Sequence, residues 1–380
     1  MTSETQWVNE IYEKMEQKLY AECARMGEKI PYWTVGGVYE EDYAKKDIYW
    51  WTNGFWSGIL WQLYHATKKE LYLETAQKNE DLLDQALHGF IGLHHDTGFM
   101  WLHSAVADYR LTGSEEAKVR GLNAASVLAG RYNPNGKFIR AWNPECVEEG
   151  EDCTGWIIVD SMMNIPLLYW AGQITGDPRF QQIAVNHADT VASYLVREDG
   201  SCGHIACINP DTGELEHILG GQGYSETSSW SRGQSWILYG FALSYRHTKN
   251  KKYLDIAKKT AHYFISNIAL TGYIPLCDFR QPASAAYTDT SAGLCAACGL
   301  LEIAEHVDEC EKNLYRTYAE LILKHTAETC CDWNPDTDGI VQNCKVAFHN
   351  DRREQTDLIY ADYFLTEAVL RLLGKDFLIW

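Results

Sequence analysis

The sequence predicts an all-α fold, an (α/α)6 barrel in which six helical hairpins close into a toroid. Three observations carry this. Helical periodicity fills most of the 380 residues and strand signals are few. A weak repeat recurs, in which an aromatic-rich helix ends in a short polar turn and an amphipathic helix follows. Within each pair the first helix is apolar on most faces, as in Phe55-Trp-Ser-Gly-Ile-Leu-Trp61. The second carries a charged face, as in Tyr253-Leu-Asp-Ile-Ala-Lys-Lys-Thr-Ala-His-Tyr-Phe264. A helix apolar all round is buried, and one with a polar face is peripheral. An open solenoid of hairpins is the alternative. Closure is favoured because the first and last helices look like ordinary members of the array, not polar caps.

In chain order, helices are expected near 5–27, 53–68, 70–88, 97–112, 114–131, 155–175, 178–197, 226–248, 250–268, 286–306, 310–329 and 354–373. The turns inside the pairs mark the boundaries. They read His65-Ala-Thr67-Lys-Lys, Arg110-Leu-Thr112-Gly-Ser, Ile174-Thr175-Gly-Asp-Pro and His247-Thr248-Lys-Asn, with a less similar fifth at His306-Val-Asp-Glu-Cys. Gly or Pro in several of them stops one helix and starts the next. No Pro/Gly/Ser-rich linker or shift of composition divides the chain, so residues 1–380 read as a single catalytic-size domain.

Composition narrows the function. With 46% hydrophobic and 13% aromatic residues the chain can build a large core. The N-terminus lacks a basic segment followed by an apolar one, and no run of 18 apolar residues exists, so neither a secretory signal nor a membrane span is expected. Twelve cysteines at irregular spacings suggest reduced thiols and a cytoplasmic protein, a monomer or weak homo-oligomer. Cys295-x-x-Cys298 is a single instance and is better read as core thiols than as half of a zinc site. The net charge of −19 argues against nucleic acid as a partner.

The connections from an outer helix to the next inner one are longer and chemically richer than the hairpin turns. They hold Asp47-Ile-Tyr-Trp50-Trp51-Thr-Asn53, His94-His95-Asp96, Arg140-Ala-Trp142-Asn143, Ser201-Cys-Gly-His204, Gln222-Gly-Tyr224 and His349-Asn-Asp351. In a toroid they converge at one end, at the N-termini of the inner helices, where partial positive charge suits an anionic ligand.

Asp160 is the leading catalytic candidate. It stands in the apolar run Trp156-Ile-Ile-Val-Asp-Ser-Met-Met-Asn-Ile-Pro, where desolvation disfavours its charged form and lets it hold a proton near neutral pH. Spacing alone favours a helix cap, because caps are commoner than catalytic acids. Asp96 is the second acid, with the same alternative. Two carboxylates facing one cleft suit glycoside chemistry. Trp50, Trp51, Trp142, Trp230 and Trp236 offer flat faces for the C–H side of a sugar, although core filling claims many of the 14 tryptophans. Arg232 and Trp236, four residues apart, share a helix face. Arg232 can fork onto a substrate carboxylate or make a structural ion pair with an acid such as Glu226. His95 and His204 offer ring nitrogens, but no third ligand appears at a convincing spacing, so no metal or other cofactor is expected.

Val159-Asp160-Ser-Met-Met-Asn164, Ser229-Trp-Ser-Arg232-Gly-Gln-Ser-Trp236, Trp51-Thr-Asn-Gly-Phe-Trp56 and His95-Asp96-Thr-Gly-Phe-Met resemble the unsaturated glucuronyl hydrolases of glycoside hydrolase family 88. The resemblance runs over nearly the whole chain, in order. It implies an (α/α)6 barrel and removal of a C4=C5-unsaturated uronic acid from lyase-generated oligosaccharides by hydration of the double bond. It implies that Asp160 is the general acid/base and that Asp96 binds ring hydroxyls and holds Asp160 in position. Trp50, Asn53, His95, Trp142, His204, Gln222, Arg232 and Trp236 match pocket positions, and His349 matches more weakly. The sulfate-binding cluster of small hydroxyl residues and a lysine found in some members is not placed in this sequence; Arg352 and Arg353 sit in a C-terminal loop but do not reproduce it. Rival readings are an unsaturated rhamnogalacturonyl hydrolase, a sugar epimerase using His95 and His204, and a non-catalytic carbohydrate-binding protein.

Overall fold

A computed structural model describes residues 3–349 and 356–380. Among them run α1 (Ser3–Met26), α2 (Asn53–Thr67) and α3 (Glu70–Gly89). Next comes α4, built from Thr97–Trp101, a π-helical turn Leu102–Val106 and Ala107–Thr112. It is followed by α5 (Glu115–Gly130), α6 (Pro166–Thr175), α7 (Pro178–Tyr194) and α8 (Ser231–Thr248). The chain ends with α9 (Lys251–Ile268), α10 (Thr290–Ala304), α11 (Glu309–Thr329) and α12 (Ile359–Leu373).

The even-numbered helices form the inner ring. All of α10 is buried, as are Ser231–Ser244 of α8 and Ile359–Leu370 of α12. The odd-numbered helices bury one stripe and face water with the other. The ring is closed. Helix α12 packs between α10 and α2, and α1 lies against α12. The seam is sewn by polar contacts over long sequence distances. The Ile359 N–H donates to the Tyr32 carbonyl (2.9 Å), and the buried Lys18 ammonium donates to the Asp332 carbonyl (2.9 Å) and Thr337 Oγ1 (3.0 Å).

The repeated threonine has a definite job. Thr67, Thr112, Thr175 and Thr248 each donate a hydroxyl to the carbonyl four residues back. Each also accepts the N–H two residues ahead. One side chain thus satisfies the end of one helix and turns the chain toward the next. The residue after each threonine is left-handed: Lys68, Gly113, Gly176 and Lys249, with φ between 56° and 75°. The fifth turn departs from the pattern. His306 instead bonds back to Glu302 (2.8 Å) within its own helix end.

The expected helix starting at 155 begins later. Trp156–Ile158 is a strand, β3, following a short hairpin of β1 (Tyr132–Asn133) and β2 (Phe138–Ile139). It pairs antiparallel with β4 (Ile205–Ile208), which pairs with β5 (Leu215–Leu219). Trp-Ile-Ile-Val is a short apolar run, and such runs fit a buried strand as well as a helix. The expected helix from 226 starts at Ser231, after a turn, and that from 286 starts at Thr290, after an extended stretch. None of the described helices is long and apolar enough to cross a membrane, and none of the twelve cysteines forms a disulfide.

Candidate active site

The loops entering the inner helices meet at one end of the ring, around a cleft of about 620 Å3. Tyr32, Asp47, Tyr49, Trp50 and Trp51 come from the approach to α2, His94 and Asp96 from that to α4, and Trp142, Glu145, Cys146 and Asp160 from that to α6. Gln222, Trp230, Arg232 and Trp236 surround the start of α8, and Val346 precedes α12. All five tryptophans singled out by the sequence line this space.

Neither acid is a cap. Asp160 and Asp96 each precede a helical turn, yet neither side chain makes a capping bond. The β3–β4 ladder fixes Asp160 instead: the Val159 N–H donates to the His204 carbonyl (3.0 Å), and the next residue turns into Ser161–Asn164. A buried hydrogen-bond chain secures that turn. The Ile139 N–H donates to His187 Nδ1 (2.9 Å), His187 Nε2 contacts Ser161 Oγ (2.7 Å), and Ser161 donates to the Ile158 carbonyl (2.6 Å).

Asn164 joins the two acids. Its Nδ2 donates to Asp96 Oδ1 (2.9 Å) and to the Asp160 carbonyl (3.3 Å), while its Oδ1 accepts the Phe99 N–H (2.7 Å). The two segments approach so closely at Gly98 that an added Cβ would sit 2.4 Å from the Asn164 Cα. His95 lies buried between the carboxylates, with Nε2 3.5 Å from Asp96 Oδ2 and 3.6 Å from Asp160 Oδ1. Burial lowers its pKa well below the usual range, helped by His94, Arg131 and His187, so its ring is neutral.

Two acids this close in an apolar setting cannot both ionise easily. Burial raises Asp96 to about 7, against the stabilising bond from Asn164. Asp160 is pushed well above its ordinary value, first by burial and then by the Asp96 charge; Arg232 opposes this. Asp160 keeps 17% of its side chain exposed, toward the cleft, and its Oδ1 takes no hydrogen bond. Burial and the Asp96 charge thus favour the protonated form of a carboxyl group that lines the cleft. Replacing Asp96 with Asn removes the charge that raises Asp160. The donor is competent only while protonated, so activity falls as pH rises through its pKa. In Asp96→Asn the alkaline limb of kcat/KM therefore moves to lower pH, alongside reduced turnover. Paired pH–rate profiles check this, and an unmoved limb would uncouple Asp96 from the donor.

Not every expected binding residue reaches the cleft surface. Asn53 is buried and donates to the Asp47 and Ile48 carbonyls (2.9 and 3.0 Å), pinning the Trp50–Trp51 loop from behind. His95 sits beneath the acids. His204 also stands behind the wall: its Nδ1 accepts the Gln222 N–H (2.9 Å), its ring packs on Trp230, and burial lowers its pKa to about 3. Gln222 does line the cleft, and its Nε2 donates to the Val346 carbonyl (2.9 Å). His349 contacts the Tyr224 carbonyl through Nε2 (2.9 Å). Asp351, Arg352 and Arg353 lie outside the described residues.

Arg232 lines the cleft, and much of its guanidinium is engaged within the protein. It donates to Asp289 Oδ2 (2.5 Å), the Lys345 carbonyl (2.7 Å) and the Val346 carbonyl (2.6 Å), and it stacks 4.4 Å over Trp230. Asp289, not Glu226, is its ion-pair partner, and both side chains are buried. Tyr49, His94, Glu145 and Cys146 were not singled out as binding residues. His94, His95 and Asp96 also place three ligand-type atoms within 4.8 Å of one another. His94 Nδ1, however, already accepts the Asp96 N–H (3.3 Å).

A closed ring of helical hairpins with two buried carboxyl groups flanking His95 in an aromatic cleft defines a carbohydrate-active hydrolase. A sequence model described as Glycosyl Hydrolase Family 88 matches residues 30–265. The unsaturated glucuronyl hydrolase of Bacillus sp. (strain GL1) is 35% identical over 92% of both chains. Its crystal structure, described as responsible for the degradation of glycosaminoglycan, has a TM-score of 0.90 at 32% identity and covers 96% of each chain. A variant of the unsaturated glucuronyl hydrolase from Streptococcus agalactiae, complexed with dGlcA-GalNAc6S, has a TM-score of 0.82 at 28% identity over 98% of this chain and 93% of its own. The chain belongs to glycosyl hydrolase family 88.

Proposed function

We propose that this chain, acting as one catalytic unit, releases a C4=C5-unsaturated uronic acid from the non-reducing end of lyase-generated oligosaccharides. The observation that carries the reading is Asp160, a carboxyl group without a side-chain capping bond, whose protonated form is favoured by burial and which lines a cleft between tryptophans. Asp160 delivers its proton to C4. Water adds to C5 and returns a proton to the Asp160 carboxylate. The hemiketal so formed opens by breaking the C5–ring oxygen bond, leaving a ketone at C5 and a hemiacetal at C1. The hemiacetal then expels the aglycone as an alcohol. Asp96, neighbour to both Asp160 and the cleft, accepts hydroxyl hydrogens of the bound ring and sets the proton affinity of the donor. Family membership supports this chemistry over an epimerase or a non-catalytic binding protein.

The reaction differs from displacement at the anomeric carbon, in which C4 takes no part. Turnover in heavy water is expected to place one deuterium at C4 of the released sugar, read by NMR of early product, with loss of the double-bond absorbance. Saturated glucuronides should remain intact. Efficient cleavage of a saturated glucuronide, or product without deuterium at C4, would overturn the proposal.

A further inference from the structure

The reacting sugar must reach the buried floor, where Asp96 and Asp160 lie, so the rest of the oligosaccharide occupies the mouth. That mouth is acidic. Asp47 and Tyr49 approach on the loop before α2, and Glu145 stands exposed on the one-turn helix Pro144–Cys146 opposite. The Tyr49 hydroxyl is held above its usual pKa by Asp47 first, then by burial, Cys146 and Glu145, which puts these groups in one neighbourhood. Asp47 Oδ1 is buried without a hydrogen-bond partner. Beyond Glu145 the chain runs on through Glu148, Glu149, Glu151 and Asp152. Among the described residues lining the cleft, Arg232 is the lone lysine or arginine, and Asp289 neutralises it.

Resting on the function proposed above, the geometry points to Asp47 and Glu145 as the residues that choose the aglycone. Carboxylates accept hydrogen bonds and cannot donate them. They favour a sugar that presents hydroxyl or amine hydrogens, with Trp142 as a stacking wall, and they repel a sulfated one. The mouth therefore selects unsulfated aglycones by charge as well as by fit.

The test uses two unsaturated uronyl disaccharides that differ only in a 6-sulfate on the N-acetylgalactosamine. The wild-type enzyme is expected to favour the unsulfated one by about 10-fold or more in kcat/KM, a gap that narrows with added salt as like charges are screened. Glu145→Gln, on an exposed turn, and the double variant with Asp47→Asn keep shape and remove charge. They should raise the sulfated-to-unsulfated ratio by about 5-fold, chiefly through KM. A wild-type preference for the sulfated substrate, or a ratio unmoved in Glu145→Gln, would overturn the inference while leaving the hydrolase intact. Failure to cleave either disaccharide would instead sink the function on which it rests.

Discussion

Asp160→Asn is expected to lower kcat by at least about 10^3-fold, because one side chain supplies both the acid that protonates C4 and the base that activates water. The fold should survive. Asp160 makes no capping bond, and burial favours its neutral form, which the amide matches in size and charge. Unsaturated disaccharide should still bind, so equilibrium binding separates loss of chemistry from loss of the site. Thermal unfolding should show a midpoint no lower than wild type. A variant that turns over near the wild-type rate would remove Asp160 from the mechanism, and one that fails to fold would make it a structural residue.

Arg232→Ala should be costly in a different currency. Read from sequence alone, the substitution mainly weakens substrate use, with a structural ion pair as the alternative role for Arg232. In the structure it strands the buried Asp289 carboxylate, removes the donor to the Lys345 carbonyl and leaves the Val346 carbonyl with Gln222 alone. Breaking one side of a buried ion pair costs about 3–5 kcal/mol. The expected result is a clear fall in denaturation midpoint together with lost activity. Arg232→Lys keeps the charge but not the fork and should recover part of the stability. Removing Asp289 as well should also recover part, since no uncompensated charge then remains. An Arg232→Ala protein that melts with the wild type while its KM rises would restore the sequence-based role.

The residues that were legible in the sequence owe it to local pattern. The threonine turns and the alternation of apolar and amphipathic helices announce the ring, because each hairpin repeats the same local solution. Asp160 stands out because an acid in an apolar run has a limited set of explanations. What sequence hides is partnership across distance. Arg232 and Asp289 are 57 residues apart, so Glu226, near in the chain, looked the better partner. Asn164 is visible inside the Asp160 block, but its bond to Asp96 spans 68 residues. Asn53 stands in the Trp51–Trp56 block that carries the resemblance, yet its amide is used on its own loop. Glu145 begins an acidic run, and such a run usually reads as a solvated surface; only the fold sets its first member at the cleft.

The seam between the two ends of the chain has a consequence for biosynthesis. A ring whose last inner helix wedges between the fifth and the first cannot close while that helix is still inside the ribosome. Until then the flanks of α2 and α10 that α12 will cover remain exposed, and the nascent protein carries apolar surface with no internal partner. The final residues complete the fit: Trp380 is buried, its indole donates to Glu367 Oε2 (2.9 Å), and its ring meets His103. Closure of the ring here waits on the emergence of α12, and the nascent chain depends on shielding until that helix is free to pack.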